Sequence, residues 1–467
     1  MIRKLYVLFV FLIFGLFLPA QKSVDSLFSS LKETIPDTQR IKIFNLISER
    51  LFSQDIDTAF HYARSAYKMA EEVKFGEGLT RACDNLAFYH FNLGNFDSAL
   101  VYANKAIAFC KQFGENDFII NCYITKADIF GYLKHTDSTE HYYSLASHLA
   151  KERGNRGYLA LIYNNYANYL GGISETDKAL ENYLLALEIF RERGAMRNQA
   201  TILGNIADIY FNKKMYDKAD ELLNEALQLN IEIKNKIGIA SNYNGLGLVA
   251  NKLERYSEAV EYYRKALEMN KSLGIISKEA MNYYNIAFNY LSMNEYDKAI
   301  KNYQLSIGIC KEIGMEAGLV HNYLGMGELY FKINEFEKAN HYLSQALMLS
   351  KRFNMREPQL GCYKLIYELH KETGNYKKAK SNVKLWVLDY LNREYGMVEE
   401  DFVSAEIEIV PAGPARDVGL DRSMIGAYGQ DDRICAYTSI KALTDIKTPS
   451  RTSIALVIDK EEIGSDG

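Results

Sequence analysis

Nine short strings recur along this chain: IDTA, FDSA, TDST, TDKA, YDKA, YSEA, YDKA, FEKA and YKKA. They end at Ala59, Ala99, Thr139, Ala179, Ala219, Ala259, Ala299, Ala339 and Ala379, 40 residues apart each time. A period of that length without a slip excludes a chain wound around one central core. Each copy must instead be one supersecondary unit that stacks on its neighbours.

Other positions keep the same beat. Seven residues after the marker come Ala66, Ala106, Ala146, Ala186, Ala226, Ala266, Ser306 and Ala346. Twelve before it come Ala87, Ala127, Ala167, Ala207, Gly247, Ala287 and Gly327. An aromatic recurs sixteen before it, as Tyr123, Tyr163, Tyr243, Tyr283, Tyr323 and Tyr363. Small side chains at one slot of each helix let antiparallel helices approach closely, and the aromatics should fill the remaining space. Gly114, Gly154, Gly194, Gly274, Gly314 and Asn354 fall fifteen after the marker, where a left-handed residue would end a second helix. With 6 Pro and 35 Tyr, the composition suits long packed helices.

Within SNYNGLGLVANKLERYSEAVEYYRKALEMN, residues Tyr243, Leu246, Gly247, Tyr256, Ala259, Tyr263 and Ala266 sit on signature slots of the tetratricopeptide repeat. The chain resembles that family over roughly residues 40–392, with helices longer than the usual repeat of about 34 residues allows. The resemblance implies an all-α, right-handed superhelix of about nine 40-residue helix pairs, followed by a small incomplete α/β fragment. It also implies a peptide or protein partner held in a concave groove lined by the first helix of each pair. On this register Asp84, Asp128, Asn164, Asn168, Asp208, Asn244 and Glu328 point into the groove. The Asn side chains could bond an extended backbone, and the carboxylates would favour a basic or amine-bearing ligand. The competing expectation is a merely wet polar surface, because the same slot also holds Phe88, Leu248 and Phe288. Trp386 stands in the ninth copy where a small residue is expected, as at a cap or a junction.

Arg3 and Lys4 precede an apolar run from Leu5 to Leu18, followed by Pro19-Ala20-Gln21. That pattern reads as a secretory signal peptide or an N-terminal anchor over residues 1–20, short for a spanning helix. The array then occupies 21–392, and the expected location is exported, periplasmic or extracytoplasmic. Membrane contact would come only through the leader if uncleaved. A net charge of −4 argues against nucleic-acid binding driven by phosphate neutralisation. The six Cys form no C-x-x-C pair and read as small apolar core residues. The His residues are scattered among repeats, with no metal-ligand spacing.

From about residue 393 the beat disappears. AEIEIVPAG alternates like a strand. DDRICAYTSIKALTD reads as a helix from Asp431 with Ile434, Tyr437, Ile440 and Leu443 along one side, and TSIALVID as a buried strand. Glu461 and Glu462 follow its end. On their own, adjacent glutamates are a solvated charge pair. However, VPAGPARDVG, GAYGQDDR and DKEEIGS together resemble the aminopeptidase I family of dinuclear zinc exopeptidases, over roughly residues 393–467.

By that resemblance Asp432 would bridge two zinc ions, Glu462 would be a zinc ligand, and Glu461 would be the general base that activates a metal-bound water. The resemblance further implies a His ligand upstream, where this chain carries repeats, and an Asp and a His ligand downstream of residue 467. Two of five ligand positions are then present, which should bind zinc too weakly for a dinuclear centre. The expectation is an exported repeat scaffold carrying a truncated or artificially fused, inactive aminopeptidase segment. The alternative is a zinc-dependent aminopeptidase with an N-terminal repeat domain.

Overall fold

The computed structural model describes residues 24–31, 35–52, 55–114, 117–378, 381, 415–418 and 424–427. Among them are the helices α1 (Val24–Ser30), α2 (Asp37–Leu51), α3 (Ile56–Glu72), α4 (Gly76–Asn92), α5 (Phe96–Phe113) and α6 (Phe118–Tyr132). There follow α7 (Thr136–Glu152), α8 (Arg156–Gly172), α9 (Thr176–Glu192), α10 (Met196–Asn212), α11 (Tyr216–Glu232) and α12 (Lys236–Lys252). The series closes with α13 (Tyr256–Ser272), α14 (Ile276–Ser292), α15 (Tyr296–Glu312), α16 (Glu316–Lys332), α17 (Phe336–Arg352) and α18 (Arg356–Glu372). The chain is built from repeated helix pairs. It divides into two compact units, Met1–Met293 and Asn294–Gly467.

The 40-residue beat is in fact two equal twenties. From α7 onward every helix is 17 residues long, and the next begins after a three-residue turn. The turns explain the spacing. Among the described residues, one with positive φ occurs every twentieth position from Lys74 to Gly374. Most of these turns close in the same way. At the end of α4 the Gly94 N–H donates to the Phe91 carbonyl at 3.0 Å and the Asn95 N–H to the His90 carbonyl at 2.8 Å. The end of α7 repeats this, with Gly154 to Lys151 at 3.0 Å and Asn155 to Ala150 at 2.8 Å. This paired closure satisfies the last carbonyls of a helix and needs one left-handed residue. Of these turns, the sequence reading picked out those at Gly114, Gly154, Gly194, Gly274, Gly314 and Asn354. Lys74, Lys134, Ser174, Lys214, Lys234 and Glu254 adopt the same conformation, which disfavours a side chain by about 1–2 kcal/mol.

Packing follows the small slots. Ala59, Ala99, Ala179, Ala219, Ala259, Ala299 and Ala339 are all fully buried, and so are Ala66, Ala106, Ala146, Ala186, Ala226, Ala266 and Ala346. In the first unit one continuous apolar cluster joins α6 through α11, from Ile120 and Tyr143 to Leu203 and Ala226. In the second, Ala339 and Leu343 of α17 pack with Ile366 and Leu369 of α18.

The recurrent tyrosines do less core filling than expected. Tyr123, Tyr163, Tyr243 and Tyr283 are half-buried, and three of the series form ring pairs across the helices. Tyr123–Tyr142, Tyr243–Tyr262 and Tyr323–Tyr342 have centroids 6.0, 6.2 and 5.9 Å apart. Tyr323 and Tyr363 are buried, and the Lys265 ammonium lies 5.5 and 5.7 Å from the Tyr243 and Tyr262 rings, within cation–π reach.

Past the helices, β1 (Ala415–Val418) pairs antiparallel with β2 (Met424–Ala427), with Ala415 opposite Ala427 and Val418 opposite Met424. This ladder falls in the stretch that carries VPAGPARDVG and GAYGQDDR. The leader, Ala379, Trp386, the strand read at AEIEIVPAG, the helix from Asp431 and the strand TSIALVID lie outside the described residues.

Candidate functional site

The first helices of successive pairs carry the candidate groove residues, and the structure separates them into two groups. In the N-terminal pairs they are tied into an inter-repeat ladder. Asp84 on α4 is fully buried and accepts from Asn121 Nδ2 at 2.7 Å and Thr125 Oγ1 at 2.9 Å, both on α6. Asp128 on α6 accepts from the Tyr143 hydroxyl and from Asn165 Nδ2 on α8, the latter at 3.1 Å. Asn168 Oδ1 on α8 accepts from the Tyr183 hydroxyl at 2.5 Å and from Asn205 Nδ2 on α10 at 3.4 Å. Asn164 is buried too and donates to Asn165 Oδ1 at 3.1 Å. In each of the first three cases a donor comes from 37 residues ahead, one repeat on. For Asp128 and Asn168 a tyrosine 15 residues ahead adds a second.

The ladder perturbs its carboxylates. Burial pushes Asp84 up to about 6 and Asp128 up to about 7, against the lowering effect of their hydrogen bonds. Glu49 on α2 is likewise pushed up to about 7 by burial, opposed by Arg81, whose guanidinium lies 3.8 Å away. A carboxyl that loses its water favours the neutral form. These groups bond neighbouring repeats to one another.

Asp208 on α10 occupies the slot of Asp128 and Asn168 but has lost both partners. The position 37 residues ahead is Gly245, and the one 15 ahead is Leu223. A Cβ placed at Gly245 would meet Leu223 Cδ2 at 2.9 Å, so leucine fills the space that donors fill elsewhere. Asp208 is exposed, yet the protein around it displaces enough water to push its carboxyl up to about 6 by desolvation alone.

The same slot then turns apolar and stays open. Leu248 on α12 is 45% exposed and Phe288 on α14 36%, while Met281 on α14 is 48% exposed and Ile237 on α12 63%. Tyr284 packs its ring 6.5 Å from Phe288. Asn282 Nδ2 on α14 donates to Asn244 Oδ1 on α12 at 2.5 Å, and Asn251 Nδ2 donates to Asn289 Oδ1 at 2.9 Å, so the two helices are pinned side by side. Asn244 also donates to the Ala240 carbonyl at 3.0 Å. Glu328 belongs to the second unit, where it is half-buried on α16 with Lys332 3.6 Å away. The exposed face of α10, α12 and α14, with Asp208 at one edge and Leu248, Met281 and Phe288 beside it, is the candidate site.

The apolar half of this face was hard to see in the sequence. Leu248 and Phe288 counted there against a groove, because apolar residues at helical spacing usually belong to a core. The available signal was the slot itself: a position polar in three repeats and apolar in the next two.

Metal chemistry finds no support within the described residues. No group of three or more His, Cys, Asp or Glu there could hold a metal ion. Asp432, Glu461 and Glu462 lie outside them. Cys110 and Cys122, both buried, bring their Sγ atoms to 3.8 Å across α5 and α6 and pack as small apolar groups. Likewise, no helix among the described residues is long and apolar enough to cross a membrane.

Helix pairs of this kind define a helical-repeat protein, and comparison with known families specifies the repeat. Residues 198–272 and 278–352 match the tetratricopeptide repeat, as do residues 79–112 in a second form of that family. Residues 339–467 match the aminopeptidase I zinc metalloprotease (M18) family. The two matches overlap across α17, a stretch folded here as a repeat helix.

A probable M18 family aminopeptidase 1 of Borreliella burgdorferi (strain ZS7) is 56% identical over 91 residues, 19% of this chain and 20% of that protein. Its counterpart in Thermotoga maritima is 60% identical over 90 residues, with the same shares. The chain thus spans about a fifth of the length of the curated relatives it matches. Among solved structures, a signal transduction ATPase with numerous domains from Pyrococcus horikoshii, with a tetratricopeptide repeat sensor, aligns at TM-score 0.57 and 19% identity. The alignment covers 73% of this chain and 54% of that one. The apo quorum sensor NprR of B. thuringiensis aligns at TM-score 0.50 and 18% identity, over 70% and 91%. At these identities the likeness is one of fold.

Proposed function

We propose that this chain is an exported scaffold that binds a peptide or protein segment on the open face of α10, α12 and α14, and that its C-terminal segment does not act as a peptidase. One observation carries the binding reading. Leu248, Met281 and Phe288 stay exposed on helices whose own hydrogen bonds are otherwise satisfied. Large apolar side chains gathered on one surface mark an interaction site. Export rests on Arg3 and Lys4 ahead of the apolar run Leu5–Leu18.

For the C-terminal segment, the reading is supported by the repeats that stand where the resemblance implies an upstream His ligand; Asp432 and Glu462 by themselves are two carboxylates, too few to hold a dinuclear zinc centre. The second reading, a zinc-dependent aminopeptidase with a repeat domain, is favoured by the 56–60% identity to M18 proteins over this short segment.

Two assays on the full chain separate them. Zinc content after dialysis and hydrolysis of aminoacyl p-nitroanilides are both expected to be negligible. Two zinc ions retained per chain, with turnover that Glu461→Gln abolishes, would establish the peptidase instead.

A further inference from the structure

We propose that the segment bound on this face carries one lysine or arginine beside two apolar side chains, with Asp208 taking the cation and Leu248 and Phe288 taking the apolar groups. This inference rests on the binding reading above and adds the chemistry of the partner.

The starting point is the interrupted ladder. Asp84, Asp128 and Asn168 each accept two hydrogen bonds from neighbouring helices. Asp208 accepts none, because Gly245 and Leu223 stand where its donors would be. A carboxylate without donors, flanked by apolar surface, gains most from a charge-assisted bond supplied from outside. The slot neighbours on the next two first helices, Leu248 and Phe288, bring no competing cation to the row. Asp208 therefore places a negative charge at the edge of an apolar strip, and the complementary ligand has a positive charge followed by apolar groups.

Spacing refines the match. Packed helices lie about 8–10 Å apart, and an extended chain advances about 3.3 Å per residue. A ligand lying across α10, α12 and α14 therefore places its cation and its two apolar anchors about three residues apart. A strip of this length on an open surface suits an extended peptide segment better than a compact small molecule, which binds in enclosed clefts.

Desolvation of the Asp208 carboxyl, which weakens it as an acid, gives the pairing a signature. The carboxyl sits at about 6 when no cation is near, and only its ionised form pairs with one. Affinity for a cationic peptide should weaken as pH falls below about 6, whereas affinity for an uncharged one should not.

The test uses the full chain on an immobilised array of random twelve-residue peptides, followed by titration of the retained peptides in solution. Asp208→Asn keeps the size of the side chain and removes its charge. Leu248→Ser/Phe288→Ser removes the apolar anchors, and circular dichroism melting checks that both variants stay folded. The parent chain should enrich peptides with Lys or Arg about three residues from Leu, Ile or Phe. Asp208→Asn should weaken those peptides about tenfold and lose the preference for a cation, and the double variant should lose binding altogether. Loss in the double variant with an unchanged cation preference in Asp208→Asn keeps the binding face and overturns the cation assignment. Peptides retained equally by the double variant, or an array that retains nothing, overturn both.

Discussion

Gly154 and Lys214 hold the same backbone conformation, at φ of 60° and 59°, and differ in what it costs them. Nothing lies within 4 Å of a Cβ placed on Gly154, so Gly154→Ala meets only the backbone penalty. Denaturant melts should show a loss of about 1 kcal/mol. Lys214→Gly relieves that penalty but frees the unfolded chain, and the two terms should cancel to within about 0.5 kcal/mol.

Asp128 offers a second prediction at this scale. Its folded value, about 7, lies above that of an unfolded aspartate, about 3.9. The folded state thus holds a proton that the unfolded state has released. The stabilisation it brings is present in full below pH 4 and fades as pH rises through 7. Asp84 and Glu49 act in the same direction, so the melting temperature should fall between pH 4 and 7. Asp128→Asn should flatten that slope by about 1 kcal/mol per pH unit and still fold, since Asn168 fills the equivalent slot in the next repeat. A slope unchanged in the variant would mean that Asp128 ionises normally.

Single residues were the least legible level in the sequence. Asp84, Asp128 and Asp208 look alike there. What tells them apart is whether Asn121, Asn165 or Gly245 stands 37 residues ahead, and the meaning of that interval emerges only when the repeats are stacked.

Elements were far easier. The helix pairs and the small slots followed from the 40-residue beat, because close approach of two helices leaves room for little more than a methyl group. Ala226 shows how tight that constraint is. It is fully buried between α11 and its neighbours, and Ala226→Leu should lower stability by about 1–3 kcal/mol through overpacking, read as an earlier denaturant midpoint. What escaped at this level was the uniformity of the turns. Lys, Ser and Glu are not residues from which a left-handed turn is inferred, so part of the twenty-residue rhythm stayed hidden. The β1–β2 ladder was missed for a similar reason. Four-residue strands such as ARDV carry too little alternation to stand out from a loop.

For the whole molecule, the sequence announced two kinds of protein in one chain, and both matches are found: tetratricopeptide repeats and a short M18 segment. Their relative weight in function is a matter of surface chemistry. The repeats leave an apolar strip in solvent beside an unpartnered carboxylate, whereas the M18 match covers about a fifth of the length of its curated relatives. If binding resides in the repeats, raising salt should weaken a cationic peptide and leave an apolar one nearly unaffected, because a partly exposed ion pair is screened. Hydrogen–deuterium exchange of the full chain, with and without an array-selected peptide, locates the contact directly. Binding on this face predicts slower exchange in 196–212, 236–252 and 276–292, with the remaining helices unchanged. Protection confined to residues 393–467, or none within those three helices, would contradict it.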